Sequence, residues 1–525
     1  MKRRDFLGAV AAAAAWSAAE SCHTEAHGDG PQPAHRNVDR DGRCFLTPPR
    51  EFLFTDLRHI NAGDLVWRSP DGKPIPVAGP PQPPVEAVAD ARGVARGIRL
   101  VAQKATKEGP IEGRPAGVIY ADGLYRAWSL RTNYPAGKNL GSYSLAPADS
   151  ITVEYSESKD GYAWRGRALT ELKVSNVTGI DGAGFFVDPR APADERYKGI
   201  YNARVLANVP ALWQQYQKVH PRNRHVSLGP DYIYCLFGLV SADGLSWRLV
   251  PEPLLIHKGD TDNTVYYDQW LQKYVLYTRF MRYDRRTIAR AESDDFRHWT
   301  PVEPLIGPSL QDPCSYDVYT NARTHYPGLP EHHLMFPLIY RRDSQTSEIH
   351  LYTSMDGVMW DRVPGGPVLE PGNPPGWDGK FVVASKNLVP LGQDRLAIAY
   401  GGASHPHKYP RWPGVISHKA GWACWPKGRL VALVADQEGQ FPTFGMAVTG
   451  RQLRVNAKVR PGGQIRVGVH GPAGRTAADC DPITGDRLAH PVTWGGNAQA
   501  GLALGSTVRL HFQLRAAELF GLQWV

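Results

Sequence analysis

Four acidic residues hold comparable places along the chain. Glu112 (in GPIEGR), Asp181, Asp262 (in GDTDNT) and Asp317 (in CSYDVY) each open a strand-like segment or stand just ahead of one. Carboxyl groups gathered from separate strands can divide proton chemistry between them. One kept neutral gives a proton, and one kept ionised takes a proton or attacks carbon. At such wide spacing they converge only if a repeating architecture carries them to one place. A second polar group comes later in the chain: Trp377 and Asp378, then His405 and His407 in GGASHPH. An aromatic face beside a carboxylate suits a ligand with a C–H face and a hydroxyl edge. Two histidines at i, i+2 read as loop residues able to bond hydroxyls rather than as metal ligands, and no metal is expected.

The repeating architecture is announced by a phrase, S-x-D-G-x-x-W. It runs Ser158 to Trp164, Ser241 to Trp247 and Ser354 to Trp360, and returns with Phe for Gly from Ser293 to Trp299. A looser copy, Ser417 to Trp425, keeps only Ser, Gly and Trp. Sequence self-similarity at such periods marks propellers, solenoids or arrays. Strand-like stretches precede the first four copies, among them ITVEYS, YIYCLFGLV and EIHLYT. The Asp can bond amides of its own turn, and the Trp can bury its ring between neighbouring sheets. Five copies predict five blades over residues 115–427, with an insert at 203–230 widening the first interval. After Lys427, alternating stretches such as QLRVNAK, QIRVGV and TVRLHFQL predict a β-sandwich over 428–525. The predicted fold is therefore all-β, a five-bladed propeller followed by a sandwich. Residues 45–114 read as an extended entry segment, and Phe52–Leu57 is the candidate for a terminal strand lent to the last blade.

The amino terminus reads as an address. Lys2-Arg3-Arg4-Asp5-Phe6-Leu7-Gly8 precedes an Ala-rich run too short and too weakly apolar to span a bilayer. This pattern over 1–21 predicts a twin-arginine signal and export to the periplasm, cell surface or medium. Cys22 is a candidate for acylation, and 22–44 reads as a flexible tether. The six cysteines show no C-x-x-C pair and no zinc spacing. Export permits a disulfide without dictating a pairing, and buried free thiols are the alternative. The formal charge of +9 comes from scattered basic residues. It suits an acidic polysaccharide or a solvated basic surface, and no nucleic-acid module is present.

A five-bladed propeller and a sandwich, with S-x-D-[GF]-x-x-W before the outer strands, resemble the glycosidase superfamily of glycoside hydrolase families 32, 43 and 130. The chain is most similar to family-32-like members. Sialidases differ, because their Asp box has one more residue between Asp and Gly. The resemblance implies acids lining an axial funnel from the first strands of different blades. On that basis Glu112 is the expected proton donor, Asp262 the base or nucleophile, and Asp317 a pKa tuner or hydroxyl acceptor. Asp181, Asn263, Tyr319, Arg323, Trp377, Asp378, His405 and His407 are the expected binding residues. The blade-one signatures W-x-N-D-P and E-C are not intact. At Asp188-Pro189, Val187 stands where the R-D-P element has Arg, so Asp188 reads as part of a structural ion pair near Arg190 and Arg196. The expectation is an exported glycoside hydrolase with a carbohydrate substrate and no cofactor. The alternative is a glycan-binding propeller that lost the acid pair.

Overall fold

The computed structural model describes residues 37–38, 44–45, 51–63, 66–68, 88–90, 94–113, 116–135, 146–206, 214, 232–260, 262–408 and 418–525. The predicted signal, Cys22 and Ser417 lie outside them, as do most of the tether and most of the 203–230 insert. The chain divides into two units, 1–48 and 49–525. The first contains an antiparallel pair, Asn37–Val38 with Cys44–Phe45.

The second unit is all-β. Five antiparallel assemblies succeed one another, each opening on a first strand and stepping outward in chain order. The first assembly holds Ile119–Ala121, Leu124–Asn133, Ser150–Ser158 and Arg165–Lys173. The second holds Val177–Val187, Tyr197–Val205, Ile233–Ser241 and Trp247–Leu249, with Leu255–Ile256 added beside its third strand. The third holds Thr264–Asp268, Lys273–Arg282, Arg285–Ser293 and Glu303–Ile306. In the fourth, backbone breaks divide the strands into two sheets, one led by Tyr316–Val318 and the other by Arg323–Tyr326. The fifth holds Phe381–Pro390, Arg395–Ala403 and His418–Pro426.

First strands meet in sequence. Val177–Val187 packs against the first assembly and against Thr264–Asp268. Thr264 donates to Asn321 of the fourth assembly (2.8 Å). Arg323–Tyr326 packs against Phe381–Pro390, which touches Ile119–Ala121. The circuit closes, and the arrangement is propeller-like.

The repeated phrase folds as one turn each time. In the second assembly Asp243 accepts the amides of Leu245 and Ser246 (2.7 Å each), and Ser241 Oγ accepts the Gly244 amide (3.0 Å). Trp247 Nε1 donates to the Gly244 carbonyl (2.9 Å). The residue after Asp sits at positive φ in all four full copies: 83° at Gly161, 74° at Gly244, 69° at Phe296 and 72° at Gly357. Glycine reaches that region freely, whereas Phe adopts it at a cost. Phe296 offsets that cost by burying its ring completely, against Phe186 and Tyr274.

Two expectations need correction. The loose copy ending at Trp425 forms no turn, since His418–Trp425 lies within strand His418–Pro426. The chain leaves the ring there, so the fifth assembly takes its outer strand from elsewhere. That strand is Thr106–Ile111, which pairs with His418–Pro426. The predicted lender, around Phe52, joins the C-terminal sheet instead, where Glu51–Leu53 pairs with the end of Leu510–Trp524. Phe52 and Phe54 are fully buried in that core, so their apolar surface decides the destination.

The C-terminal region is a six-stranded sheet built on Leu453–Val469, Leu510–Trp524 and Val431–Pro442, with Arg99–Ala102 at one edge and Asp486–Pro491 at the other. Bulges interrupt Val431–Pro442 between Ala435 and Glu438, and Leu453–Val469 between Val459 and Gln464. Its core holds Phe441 stacked on Phe512 (4.9 Å between centroids), with Phe54 edge-on at 5.6 Å. Among the described cysteines Cys235, Cys424 and Cys480 are buried free thiols and Cys314 is exposed. No helix among the described residues is long and apolar enough to cross a membrane.

This packing sets two expectations for stability. Trp247→Ala removes a buried ring and its turn hydrogen bond, and should cost about 3–5 kcal/mol of unfolding free energy in urea titration. Near-wild-type stability would contradict the turn's role. His257 is buried and bonded to the Arg279 carbonyl (2.7 Å), and burial pushes its imidazole down from 6.5 to about 4. His325, His332 and His333 are driven low by burial as well. The unfolded chain therefore binds more protons than the native state below pH 6.5. The urea midpoint should fall as pH drops from 6.5 to about 4, and a flat profile there would count against neutral buried imidazoles.

Candidate functional site

A cavity of about 550 Å³ lies where the first strands converge, walled by the first, second, fourth and fifth assemblies and by the loop that leads into the third. Its ionisable centre is Asp181 from the second assembly, Asp262 just before the third, and Lys386 from the fifth. Trp128, Phe185, Tyr319 and Phe381 supply aromatic surface.

The two carboxyl groups sit in opposite environments. Asp262 Oδ2 accepts the amides of Asn321 and Ala322 (2.7 Å each), and its Oδ1 lies 3.6 Å from Lys386 Nζ. Asp181 opens onto the cavity yet is crowded by protein. That desolvation pushes its carboxyl up, and the charge of Asp260 adds to the effect. The Gly182 amide (2.7 Å), Arg279 and Lys386 oppose the rise without cancelling it. Lys386 is only 8% exposed and donates to the Ala183 carbonyl (2.5 Å). Burial lowers its ammonium, while Asp262 and Asp181 hold the proton on.

The backbone around these groups is fixed by close contact. Asn263, fully buried, donates to the carbonyls of Gly182 (3.0 Å) and Asp260 (3.2 Å) and accepts from Thr278 (2.6 Å). It therefore ties the strand carrying Asp181 to the loop carrying Asp262. Gly182 has φ +64°, and a Cβ there would fall 2.0 Å from the Asp260 carbonyl oxygen. No other residue permits that approach. Arg279 pairs with Asp260, donates to the Tyr319 carbonyl (2.8 Å) and covers the Tyr319 ring at 4.0 Å. Tyr319 in turn shares a hydrogen bond with His407 (2.9 Å), whose ring stacks on Phe381 at 4.8 Å.

The predicted site residues thus divide. Asp181, Asp262, Tyr319 and His407 line the cavity, and Asn263 braces it. Glu112 does not reach it. It is exposed, one residue past the outer strand Thr106–Ile111 of the fifth assembly. The segment before it closes the ring instead of opening the first assembly. Asp317 is fully buried behind the wall. It accepts from Arg286 (backbone N 3.0 Å, Nη1 2.8 Å) and Arg342 (Nε 2.9 Å, Nη2 3.0 Å). With its acceptors saturated it orients Arg286, whose guanidinium lies 4.9 Å from the Tyr319 ring.

Trp377 and Asp378 also serve the frame. Asp378 accepts from Lys107 of the closing strand (2.7 Å) and from Tyr400 (3.0 Å), while Trp377 stacks on Tyr400. Arg323 lies 3.4 Å over the Tyr266 ring and bonds His325 and His333, at the wall of a different cavity. His405 stands behind His418, edge-on at 5.5 Å. Asp188 is an ion-paired structural acid as read, but its partner is Lys198 (2.8 Å). Among the described residues no cluster of three or more His, Cys, Asp or Glu could hold a metal ion. Lys386 escaped the sequence reading. Its only signal is a lone charge inside the apolar strand FVVASKNLVP.

No family model matches the sequence, and no curated protein does. Among solved structures the chain is similar to an N-acetylgalactosamine deacetylase from F. plautii, at 14% identity and TM-score 0.40, over 65% of this chain and 93% of that one. It is also similar to a β-1,2-mannobiose phosphorylase from Listeria innocua, at 14% and 0.38, over 63% and 91%. An exo-inulinase from Aspergillus awamori matches at 11% and 0.37, over 81% and 98%.

Lys386→Met keeps the length of the side chain and removes its charge. It leaves Asp262 without its ammonium partner, and should cost about 3 kcal/mol in urea titration near neutral pH. An unchanged midpoint would show that the pair carries no such weight.

Proposed function

We propose that residues 49–525 form a five-bladed β-propeller with a C-terminal β-sandwich, and that the axial cavity cleaves glycosidic bonds. Asp181 is the proton donor and Asp262 the base or nucleophile. One observation carries this reading: the cavity holds a carboxyl pushed toward neutrality beside one that accepts two backbone amides and faces an ammonium. Glycoside cleavage needs that division of labour. Asp181 gives its proton to the leaving oxygen while Asp262 attacks the anomeric carbon or deprotonates a water. Asp181, then ionised, takes the proton back from the second nucleophile or from solvent. Lys386 sets a positive charge 3.6 Å from Asp262, and the aromatic walls accept the C–H faces of a sugar. The paired arginines near residue 3 support export by the twin-arginine route to the periplasm, cell surface or medium, with Cys22 as a site for a lipid anchor.

The test is hydrolysis of a panel of aryl glycosides and polysaccharides. Asp262→Asn should lose at least about a hundredfold in kcat on every substrate. Asp181→Asn should lose as much on poor leaving groups but retain activity on dinitrophenyl glycosides, which depart without a proton. Glu112→Gln should behave as wild type. Glycan binding without hydrolysis would make the cavity a lectin-like site, and full activity in Asp262→Asn would remove the assignment.

A further inference from the structure

On the outer face of the C-terminal sheet, a row of four side chains crosses three strands and the isolated bridge that Arg96 makes to the first of them. Arg96 pairs with Gln440, Gln440 with Gln513, and Gln513 with Arg466. Directly opposed residues of antiparallel strands project to the same face. Two residues along, Glu438 pairs with Arg515 and Arg515 with Gln464, giving a second row on that face. The intervening residues Phe441, Phe512, Leu514, Ile465 and Val467 point into the core. Strand spacing sets the four-residue row at roughly 14 Å from end to end.

The face is hollow. The bulges at Ala435–Glu438 and Val459–Gln464 flank it, and bulges bend the strands that carry them. Gly97, at φ +66°, seats the Arg96 segment against Glu438 so closely that a Cβ would fall 2.1 Å from its carbonyl oxygen. The resulting cavity of about 400 Å³ is lined by these arginines and glutamines. Among the described residues no carboxylate pairs with Arg96, Arg466 or Arg515, and Glu438 is the one acid in the two rows. Arg466 is already oriented by the carbonyls of Ala478 (3.2 Å) and Cys480 (2.6 Å).

We propose that this hollow is a second glycan site, separate from the axial cavity, and that it takes an anionic polysaccharide. Guanidinium groups meet carboxylate or sulfate oxygens in bidentate fashion, and the exposed Gln513 amide beside them reads hydroxyls as donor and acceptor at once. The row of four spans several sugar rings and sets its cations at the two ends. No aromatic side chain lies in the rows, so neutral sugars and nucleobases find no stacking platform there. The choice of a glycan among polyanions rests on the glycosidase reading of the axial cavity.

Affinity electrophoresis of the full chain tests the site. The gels carry polygalacturonate, dextran sulfate, neutral dextran or polyglutamate. One or both acidic glycans should retard the protein, and which one does so distinguishes carboxylate from sulfate recognition. Neutral dextran should leave mobility unchanged. Gln513→Ala with Arg515→Ala, both exposed, should weaken retardation about tenfold or more with an unchanged melting temperature. Asp262→Asn should bind as wild type, which separates this site from the axial one. No retardation by either acidic glycan overturns the proposal. So does equal retardation by polyglutamate, or full retardation of the double variant.

Discussion

A backbone carbonyl at the crest of three of the four motif turns stitches one assembly to the one before it. The oxygen of Gly161 accepts from Trp164 of its own turn and from Trp422 of the fifth assembly (2.9 Å each). Gly244 accepts from Trp247 and from Trp128 of the first (2.6 Å), and Gly357 accepts Tyr277 of the third (2.5 Å). A carbonyl has two lone pairs, and at Gly161 and Gly244 an indole N–H occupies each. At Phe296 the neighbour contributes instead the buried Lys198 ammonium, 5.5 Å from the ring. The phrase that reads as a strand connector is therefore also the joint between sheets. Because the joints fix the angle between assemblies, they fix where the first strands meet, and so where Asp181, Asp262 and Lys386 meet.

This double role explains why the ring was legible in the sequence. Ser, Asp, Gly and Trp recur because each has a bond to make at a set position. The closing strand was not legible. Thr106–Ile111 reads TKEGPI, polar and broken by Gly-Pro, with no alternation to announce a strand. It is held by what lies beside it: the backbone of His418–Pro426, and Lys107 on Asp378. Missing that strand moved Glu112 from the rim to the axis; Asp262 stands just before a first strand as its position implied, whereas Asp181 lies within one, Val177–Val187, between two register shifts.

The remaining site residues show what a linear reading lacks. Asp317 resembles Asp262 in position, but Arg286 and Arg342, from neighbouring strands, consume its oxygens. A lysine in a strand is ordinarily solvent-facing. Lys386 is buried because its strand runs beside the axis, where the Ala183 carbonyl and the Asp262 carboxylate give its protons somewhere to go. Nothing local in FVVASKNLVP distinguishes that outcome from an exposed cation.

The order of the closing strand in the chain carries a cost in time. Residues 106–111 leave the ribosome early, yet their hydrogen-bonding partners at 420–424 emerge more than three hundred residues later. The edge of Arg99–Ala102 likewise waits for Val431–Val434, and Glu51–Leu53 waits for Leu510–Trp524. A nascent chain therefore holds these segments unpaired while their partners are still being made, and the ring cannot lock until residue 424 has emerged. Contacts so distant along the chain make for slow folding and a long exposure of unpaired strand edges.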